Sequence, residues 1–212
     1  MLVVVYLKMI FQLKFNLIVN DLIILPIFYY MSGAGESCGA GKNRVQQFID
    51  AQTRYDSNNI QQIVNAILSN ATRLSNKELV EEISQAYSQI CNGLTVCKNM
   101  VVVNDLDCIE DFLFNIVAYA IALNVTLSGG VLDIEQVKTQ GLNLFIKKNR
   151  DYGDAFAVFG IVGVLVRMGD KISRLVTLVG SNNGHFESIK DTAIDLYNYA
   201  LMVSLLINDN QL

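Results

Sequence analysis

The chain has 212 residues, a formal charge of −4 and 52% apolar residues. This length and composition are enough for one domain with a substantial core. The acidic balance, without a basic patch that contains interleaved aromatic residues, argues against direct binding of duplex nucleic acid. The four cysteines and one histidine lack the spacing of metal ligands, which argues against structural zinc and against a Cys/His nucleophile.

Residues 1–42 are predicted to be a non-globular leader. Within residues 1–30, Lys8, Lys14 and Asp21 interrupt an apolar run. The longest uncharged window is shorter than the roughly 20 residues that a membrane-spanning helix needs. We therefore expect no membrane association, unless residues 1–30 are retained as a weak membrane anchor.

Residues 43–212 are predicted to form a single all-α domain, a compact multi-helix bundle. Nearly all of the long segments have helical periodicity, with little of the alternation that is typical of strands. Ser75 followed by Glu78 resembles a capping box, which marks a helix start. The predicted helices cover about 43–55, 58–72, 75–92, 108–124, 163–179 and a final segment from Glu187 onwards.

An internal repeat relates two of these helices. Residues 107–120 align without gaps on residues 187–200, at an offset of 80. Identical residues at the two positions are Ile109 and Ile189, Asp111 and Asp191, Tyr119 and Tyr199, and Ala120 and Ala200. The sequence therefore predicts two related halves, a degenerate one at 43–130 and a site-bearing one at 131–212. Chance similarity between two amphipathic helices is the alternative.

Polar residues form one narrow stripe on the final helix. Its members are Glu187, Asp191, Asp195 and Asn198. The flanks of the stripe are apolar, and buried charges without partners are very costly. The pattern favours carboxylates that face a cleft or a partner group over a solvated acidic face. The first half has Asn115 in place of Asp195 and Ala118 in place of Asn198.

The preceding helix carries a complementary stripe. Arg167, Asp170, Lys171 and Arg174 recur at i, i+3, i+4 and i+7, on one side of the helix. One interpretation is an inter-helix salt-bridge network. The other is a phosphate and metal site, in which carboxylates hold a hard cation and Arg and Lys hold phosphate oxygens.

The second half also resembles a family. The phrases FIKKNRDYGDAF, LVRMGDKISRL and ESIKDTAIDLYNYALM resemble nucleotide modification associated domain 1, a family of viral and bacterial proteins, over about residues 132–207. That family is implicated by genomic association in handling modified nucleotides or DNA. The final helix more remotely resembles the MazG-like all-α nucleoside triphosphate pyrophosphohydrolases, which place acidic residues on paired helices around magnesium. Asp191 and Asp195 match the second acidic pair. The usual Glu-x-x-Glu helix has no clean counterpart, although Glu78-Leu-Val-Glu81-Glu82 resembles it in the first half and Asp170 is the candidate in the second.

The resemblance and the charge pattern together imply a set of site residues. Mg²⁺ would be bound by Asp170, Glu187, Asp191 and Asp195, and Asp170, Asp191 and Asp195 would be catalytic. Tyr152 would stack on a base, or else be an aromatic residue at the core edge. Asp154 would read the base edge or cap the next helix. The predicted substrate-binding residues are Lys147, Lys148, Asn149, Tyr152, Asp154, Arg167, Lys171, Arg174 and Asn198.

The expected function is nucleotide handling, by Mg²⁺-dependent hydrolysis or by binding of nucleoside triphosphates or their modified forms. Hydrolysis would make the protein a nucleoside triphosphate pyrophosphohydrolase. The alternatives are a catalytically silent nucleotide-binding module and a helical assembly protein with internal salt bridges. A homo-oligomer is expected because the all-α pyrophosphohydrolases typically oligomerise. The expected location is the cytoplasm, which would be that of the host for a viral protein.

We expect the native protein to start at Met31. Residues 1–30 are rich in Ile, Leu, Phe, Tyr, Asn and Lys, a composition that AT-rich DNA encodes when it is translated without selection. Mass spectrometry of the natural protein should therefore give peptides only from Met31 onwards. A peptide from upstream of Met31 would rule this start out.

Overall fold

The computed structural model describes residues 43–69, 74–97, 100–103, 106–158, 160–181 and 186–210. The predicted leader, with the start at Met31, lies outside the described residues, as does His185. The chain divides into two compact units, residues 1–42 with 96–101 and residues 43–95 with 102–212. All the helices below belong to the second unit.

The described residues contain seven α-helices, one turn of 3₁₀ helix and a pair of short strands. The α-helices are α1 (Arg44–Ser57), α2 (Ile60–Leu68), α3 (Asn76–Gly93), α4 (Leu106–Leu127), α5 (Ile134–Tyr152), α6 (Gly160–Gly180) and α7 (Phe186–Asn210). The 3₁₀ turn is Gly153–Phe156, and the strands β1 (Leu94–Cys97) and β2 (Met100–Val103) form a two-stranded sheet. The predicted all-α multi-helix class is confirmed.

Predicted and observed helices agree to within a few residues at most ends. The exception is α2, which ends at Leu68, whereas the predicted helix runs to residue 72. The strand pair is an element that the sequence pattern does not predict. Each strand has four residues, which is too short a run to show alternation.

Local signals mark the start of α3 and the end of α5. At the start of α3, the N–H of Ser75 donates to Glu78 Oε2 at 2.7 Å, and the N–H of Glu78 donates to Ser75 Oγ at 3.3 Å. This is the predicted capping box. Gly153 ends α5 with a φ of +56°, a region that favours glycine, and its N–H donates to the carbonyl of Asn149.

Helices α4 and α7 form the centre of the core. Residues 120–124 of α4 and 200–207 of α7 are buried without interruption. The two helices pack on each other, α3 packs on α4, α6 packs on α7, and α3 contacts α6, so the four helices form a closed bundle. The segment Cys108–Leu127 is long and apolar enough to cross a membrane, but 56% of that segment's apolar window is buried inside the protein. A buried core helix has this same composition.

The helix arrangement follows the predicted repeat. Helix α4 begins at Leu106 and α7 at Phe186, 80 residues apart. Each is the third helix of a series, α2–α3–α4 and α5–α6–α7, in which the first helix packs on the third. Burial matches across the offset, because the members of each of the following pairs share one exposure class. These pairs are Ile109 and Ile189, Asp111 and Asp191, Ile116 and Leu196, Tyr119 and Tyr199, and Asn124 and Ser204.

Helix α1 holds α5 against α7. It packs on both helices, and the ring of Phe48 stacks on that of Phe145 in α5 with the centroids 4.1 Å apart. Towards α7, Gln52 Nε2 donates to the hydroxyl of Tyr197 at 2.8 Å, and Arg54 Nη2 donates to Ser204 Oγ at 3.0 Å. These contacts fix the relative position of the two helices that carry most of the predicted site.

Helix α5 lies tightly against α7 at Gly141, so Gly141→Ala should destabilise the protein. A Cβ atom there would lie 2.5 Å from Cε1 of Tyr197 and 3.0 Å from Oδ1 of Asn198. The hydrogen bond from Gln52 restrains the Tyr197 ring, so α5 must shift. We expect the free energy of unfolding in urea to fall by about 1–3 kcal/mol.

Gly180→Ala, at the end of α6, is the matched control. A Cβ atom at Gly180 has nothing within 4 Å. We expect this variant to be as stable as the wild type or slightly more stable, because alanine costs less backbone entropy than glycine. Equal stabilities of the two alanine variants would contradict the close approach.

Candidate functional site

One carboxylate joins three helices of the second half. Asp195 on α7 accepts a hydrogen bond at Oδ1 from Lys148 Nζ on α5 and at Oδ2 from Lys171 Nζ on α6, both at 2.6 Å. We call these three residues the Lys148–Asp195–Lys171 group. Lys171 with Asp195 is the inter-helix salt bridge that the complementary stripes predict.

The group combines a shielded anion with two accessible cations. The side chain of Asp195 is 15% exposed, whereas those of Lys171 and Lys148 are 25% and 41% exposed. Burial by itself would raise the pKa of Asp195, but the hydrogen bonds and charges of Lys148 and Lys171 outweigh burial and lower this pKa below its ordinary value. Asp195 is therefore ionised at neutral pH, and the group has a net charge of +1.

A buried amide lies one helical turn beyond Asp195. Asn198 is 3% exposed, and neither Oδ1 nor Nδ2 has a hydrogen-bond partner among the described residues. Asn149, which follows Lys148 in α5, also has a buried Oδ1 without a partner there. Buried amide groups are nearly always hydrogen-bonded in proteins. Asn76 and Asn124, in the first half, also have a buried Oδ1 without a described partner, but Asn198 is the one of the four in which both amide atoms lack one.

The remaining predicted residues do not join this group. Tyr152, 72% exposed, and Lys147 lie on the surface near the end of α5. On α6, Arg167, Asp170 and Arg174 are exposed, and on α7 so are Glu187 and Asp191. Glu187 forms an ion pair with Lys190 at 2.6 Å.

Asp154 belongs to a different cluster. Nε of Arg44 lies 3.0 Å from both of its carboxylate oxygens, and Arg44 Nη1 also pairs with Asp209. Gln47 Nε2 completes this cluster by donating to Asp209 Oδ1 at 2.7 Å. The interaction ties the start of α1 to the turn after α5 and to the end of α7. Asp154 thus has a structural partner.

The carboxylates do not form a metal cage in this arrangement. In the part of the chain that the structure describes, no three His, Cys, Asp or Glu side chains are grouped closely enough to hold a metal ion. Both oxygens of Asp195 face ammonium groups, whereas Mg²⁺ is usually held by carboxylates, waters and phosphate oxygens. The residues present therefore do not fit the predicted magnesium site, which stays a prediction.

The first half of the chain serves as an internal control for the charged group. At the 80-residue offset, Lys148, Lys171 and Asp195 correspond to Leu68, Cys91 and Asn115. All three corresponding residues are half-buried, and the first half forms the same three-helix series without any of the charges. At these three positions the first half therefore packs without a charged group.

Sequence reasoning misses the residues that support the site from a distance. Gly141 lets α5 approach Asn198, Arg44 holds Asp154, and the buried Lys138 forms an ion pair with the exposed Asp56. Their partners lie 57, 110 and 82 residues away in the chain. No local spacing pattern could reveal such pairs, although the rarity of a glycine inside a helix marks Gly141.

Comparison of the chain with models of protein families, with curated proteins and with solved structures finds no match. The resemblance of residues 132–207 to nucleotide modification associated domain 1 accordingly stays a prediction. The function is therefore inferred from the geometry of the site.

Asp195→Asn should reduce stability in a pH-dependent way. Because the folded pKa of Asp195 is lowered, the ionised carboxylate contributes stability above its ordinary pKa and loses it as the pH falls through the folded pKa. At pH 7 we expect Asp195→Asn to lower the free energy of unfolding by about 1–2 kcal/mol, between the values for exposed and buried pairs. The difference should shrink below about pH 4, the ordinary pKa of aspartate.

Urea unfolding at several pH values measures the pH dependence of the Asp195→Asn effect. Glu187→Gln, on the same helix, is the control. Glu187 is 82% exposed, so its removal should have little effect at any pH. An Asp195→Asn effect that is constant from pH 7 to pH 3 would show that the ion group does not stabilise the fold.

Proposed function

We propose that this chain is a nucleotide-handling protein that binds a nucleoside triphosphate, or a modified one, through its phosphate chain at the Lys148–Asp195–Lys171 group. The observation that carries the proposal is the presence of this group in one repeat and its complete replacement in the other. The first half folds without these charges, whereas in the second half three helices each contribute one charged residue to the group. Binding of a ligand is the best explanation of this difference.

The two ammonium groups have the chemistry that phosphate binding needs. Each ammonium has three N–H donors and gives one to Asp195. Lysine is a common phosphate ligand, and hydrogen bonds between ionised partners are about twice as strong as neutral ones. Because both lysines contact the same carboxylate, they lie close enough together to bind one phosphoryl group or two neighbouring ones.

Exposed side chains around the group supply further contacts for a nucleotide. Arg167 and Arg174 lie one turn before and one turn after Lys171 on α6, and both are exposed. Tyr152 lies one turn after Lys148 on α5 and is 72% exposed. An exposed aromatic ring beside a cationic site is suited to stacking on a nucleobase.

Hydrolysis has less support than binding. The predicted pyrophosphohydrolase reaction needs a magnesium cage, and Asp195, the shielded member of the predicted carboxylate set, is paired with two lysines. The nucleotide-binding module is therefore the function that we propose, and the pyrophosphohydrolase reaction is the alternative.

Equilibrium binding to deoxynucleoside triphosphates, including modified ones, tests the proposal. We expect Lys148→Ala and Lys171→Ala each to weaken binding by about tenfold or more, the value of one charge-assisted hydrogen bond. Lys77→Ala is the control, because Lys77 is an exposed lysine of α3 in an exposed i,i+4 pair with Glu81. The corresponding nucleoside, which lacks phosphate, should bind much more weakly than the triphosphate.

Equal binding of nucleoside and triphosphate would contradict the role of the phosphate chain. The same panel, incubated with Mg²⁺, tests the alternative. Pyrophosphate release that is lost in Asp191→Ala and Asp195→Ala would establish a pyrophosphohydrolase and replace the binding-module proposal.

A further inference from the structure

We propose that the Lys148–Asp195–Lys171 group binds the phosphate chain in its metal-free form, so that a divalent cation weakens binding instead of supporting it. This inference rests on the proposed function and specifies the ionic form of the ligand. It departs from the magnesium-dependent site that the sequence predicts.

The first reason is the sign of the local charge. Two ammonium groups and one carboxylate leave a net positive charge at the point where the three helices meet. Arg167 and Arg174 are exposed on the same helix as Lys171 and add positive charge nearby, with Asp170 between them. A dication placed against Asp195 would lie next to two ammonium groups, and like charges at such distances repel strongly in a partly shielded site.

The second reason is the state of the carboxylate. Each oxygen of Asp195 accepts a 2.6 Å hydrogen bond from a different lysine. A metal ion bound to the remaining lone pair of either oxygen would lie beside an ammonium group, which repels it. Asp195 is better suited to a positioning role, in which it holds two lysines at a fixed separation while their remaining donors face a phosphate.

The ammonium donors of the site also determine which ionic form of the ligand binds more tightly. Mg²⁺ neutralises part of the charge of a triphosphate or a pyrophosphate and occupies oxygens that would otherwise accept hydrogen bonds from lysine. A site built from ammonium donors therefore prefers the free anion. A site built from carboxylates has the opposite preference, because it needs the cation as a bridge.

The test uses the full chain and inorganic pyrophosphate, with a deoxynucleoside triphosphate as a second ligand. Binding is measured by calorimetry in EDTA and in millimolar Mg²⁺ at the same ionic strength. We expect binding of both ligands in EDTA and a Kd that is severalfold higher in Mg²⁺. Lys148→Ala and Lys171→Ala should each raise the Kd in EDTA by about tenfold, and Lys77→Ala should leave it unchanged.

The outcomes separate this inference from the proposed function. Binding that requires Mg²⁺ overturns the metal-free inference and leaves nucleotide binding in place, whereas no binding of either ligand under either condition overturns both. Urea unfolding of each variant confirms that it is folded, and Lys148→Gln and Lys171→Gln replace any alanine variant that is not.

Mn²⁺ alone gives an independent readout through its paramagnetic resonance signal. We expect that Asp195→Asn does not change the amount of Mn²⁺ that the protein binds in the absence of nucleotide. Stoichiometric Mn²⁺ binding that is lost in Asp195→Asn would make Asp195 a metal ligand and would overturn the inference.

Discussion

The mutual burial of α4 and α7 is the contact on which the rest of the structure depends. Both helices are apolar on nearly every side along their inner turns, so neither can be stable in water without the other. Ser204 near the end of α7 donates to Glu110 near the start of α4 at 2.9 Å, which shows that the helices run in opposite directions. This antiparallel pair allows the series α2–α3–α4 and the series α5–α6–α7 to share a single core.

That arrangement explains how one half can carry a charged group while the other does not. The core pairs match in burial at the 80-residue offset, because both halves contribute to the same interior. At half-buried positions the halves differ, because Leu68, Cys91 and Asn115 stand where the second half has two lysines and an aspartate. The shared core thus supports the fold, and only the second half carries the charged group.

Sequence periodicity predicts the parts of this molecule that depend on local contacts. Most helix positions, the Ser75 capping box and the 80-residue offset between α4 and α7 all follow from spacing within a single segment or from direct alignment. The stripe that holds Asp195 and Asn198 is predicted for the same reason, since residues one turn apart lie on one face. The predicted companions of Asp195 lie on that same face and are exposed, because a helix faces solvent along part of its length.

Partners that are distant in sequence could not be predicted. Periodicity on α6 selects Arg167, Lys171 and Arg174 equally, and only the position of α7 singles out Lys171. Lys148 and Lys147 are adjacent in the chain, and the rotation of α5 decides that Lys148 reaches Asp195. That rotation depends on the stack of Phe48 on Phe145 and on the space left by Gly141. Asp154 is the opposite case. The sequence predicts it in the site, whereas its ion pair with Arg44 places it in a different cluster.

Asn198 is the residue whose presence most needs a functional explanation. Its counterpart in the first half is Ala118, which is 1% exposed and leaves no polar group unpaired. The fold therefore accommodates alanine at this position. A buried amide without partners costs about 1–3 kcal/mol relative to such a residue, a large share of the stability of a small domain. Asn198 lies one turn from the charged group and faces the close approach of α5, so a bound polar ligand or water that completes its hydrogen bonds would remove this cost. Asn198 is therefore the buried residue that we would expect to contact the proposed ligand.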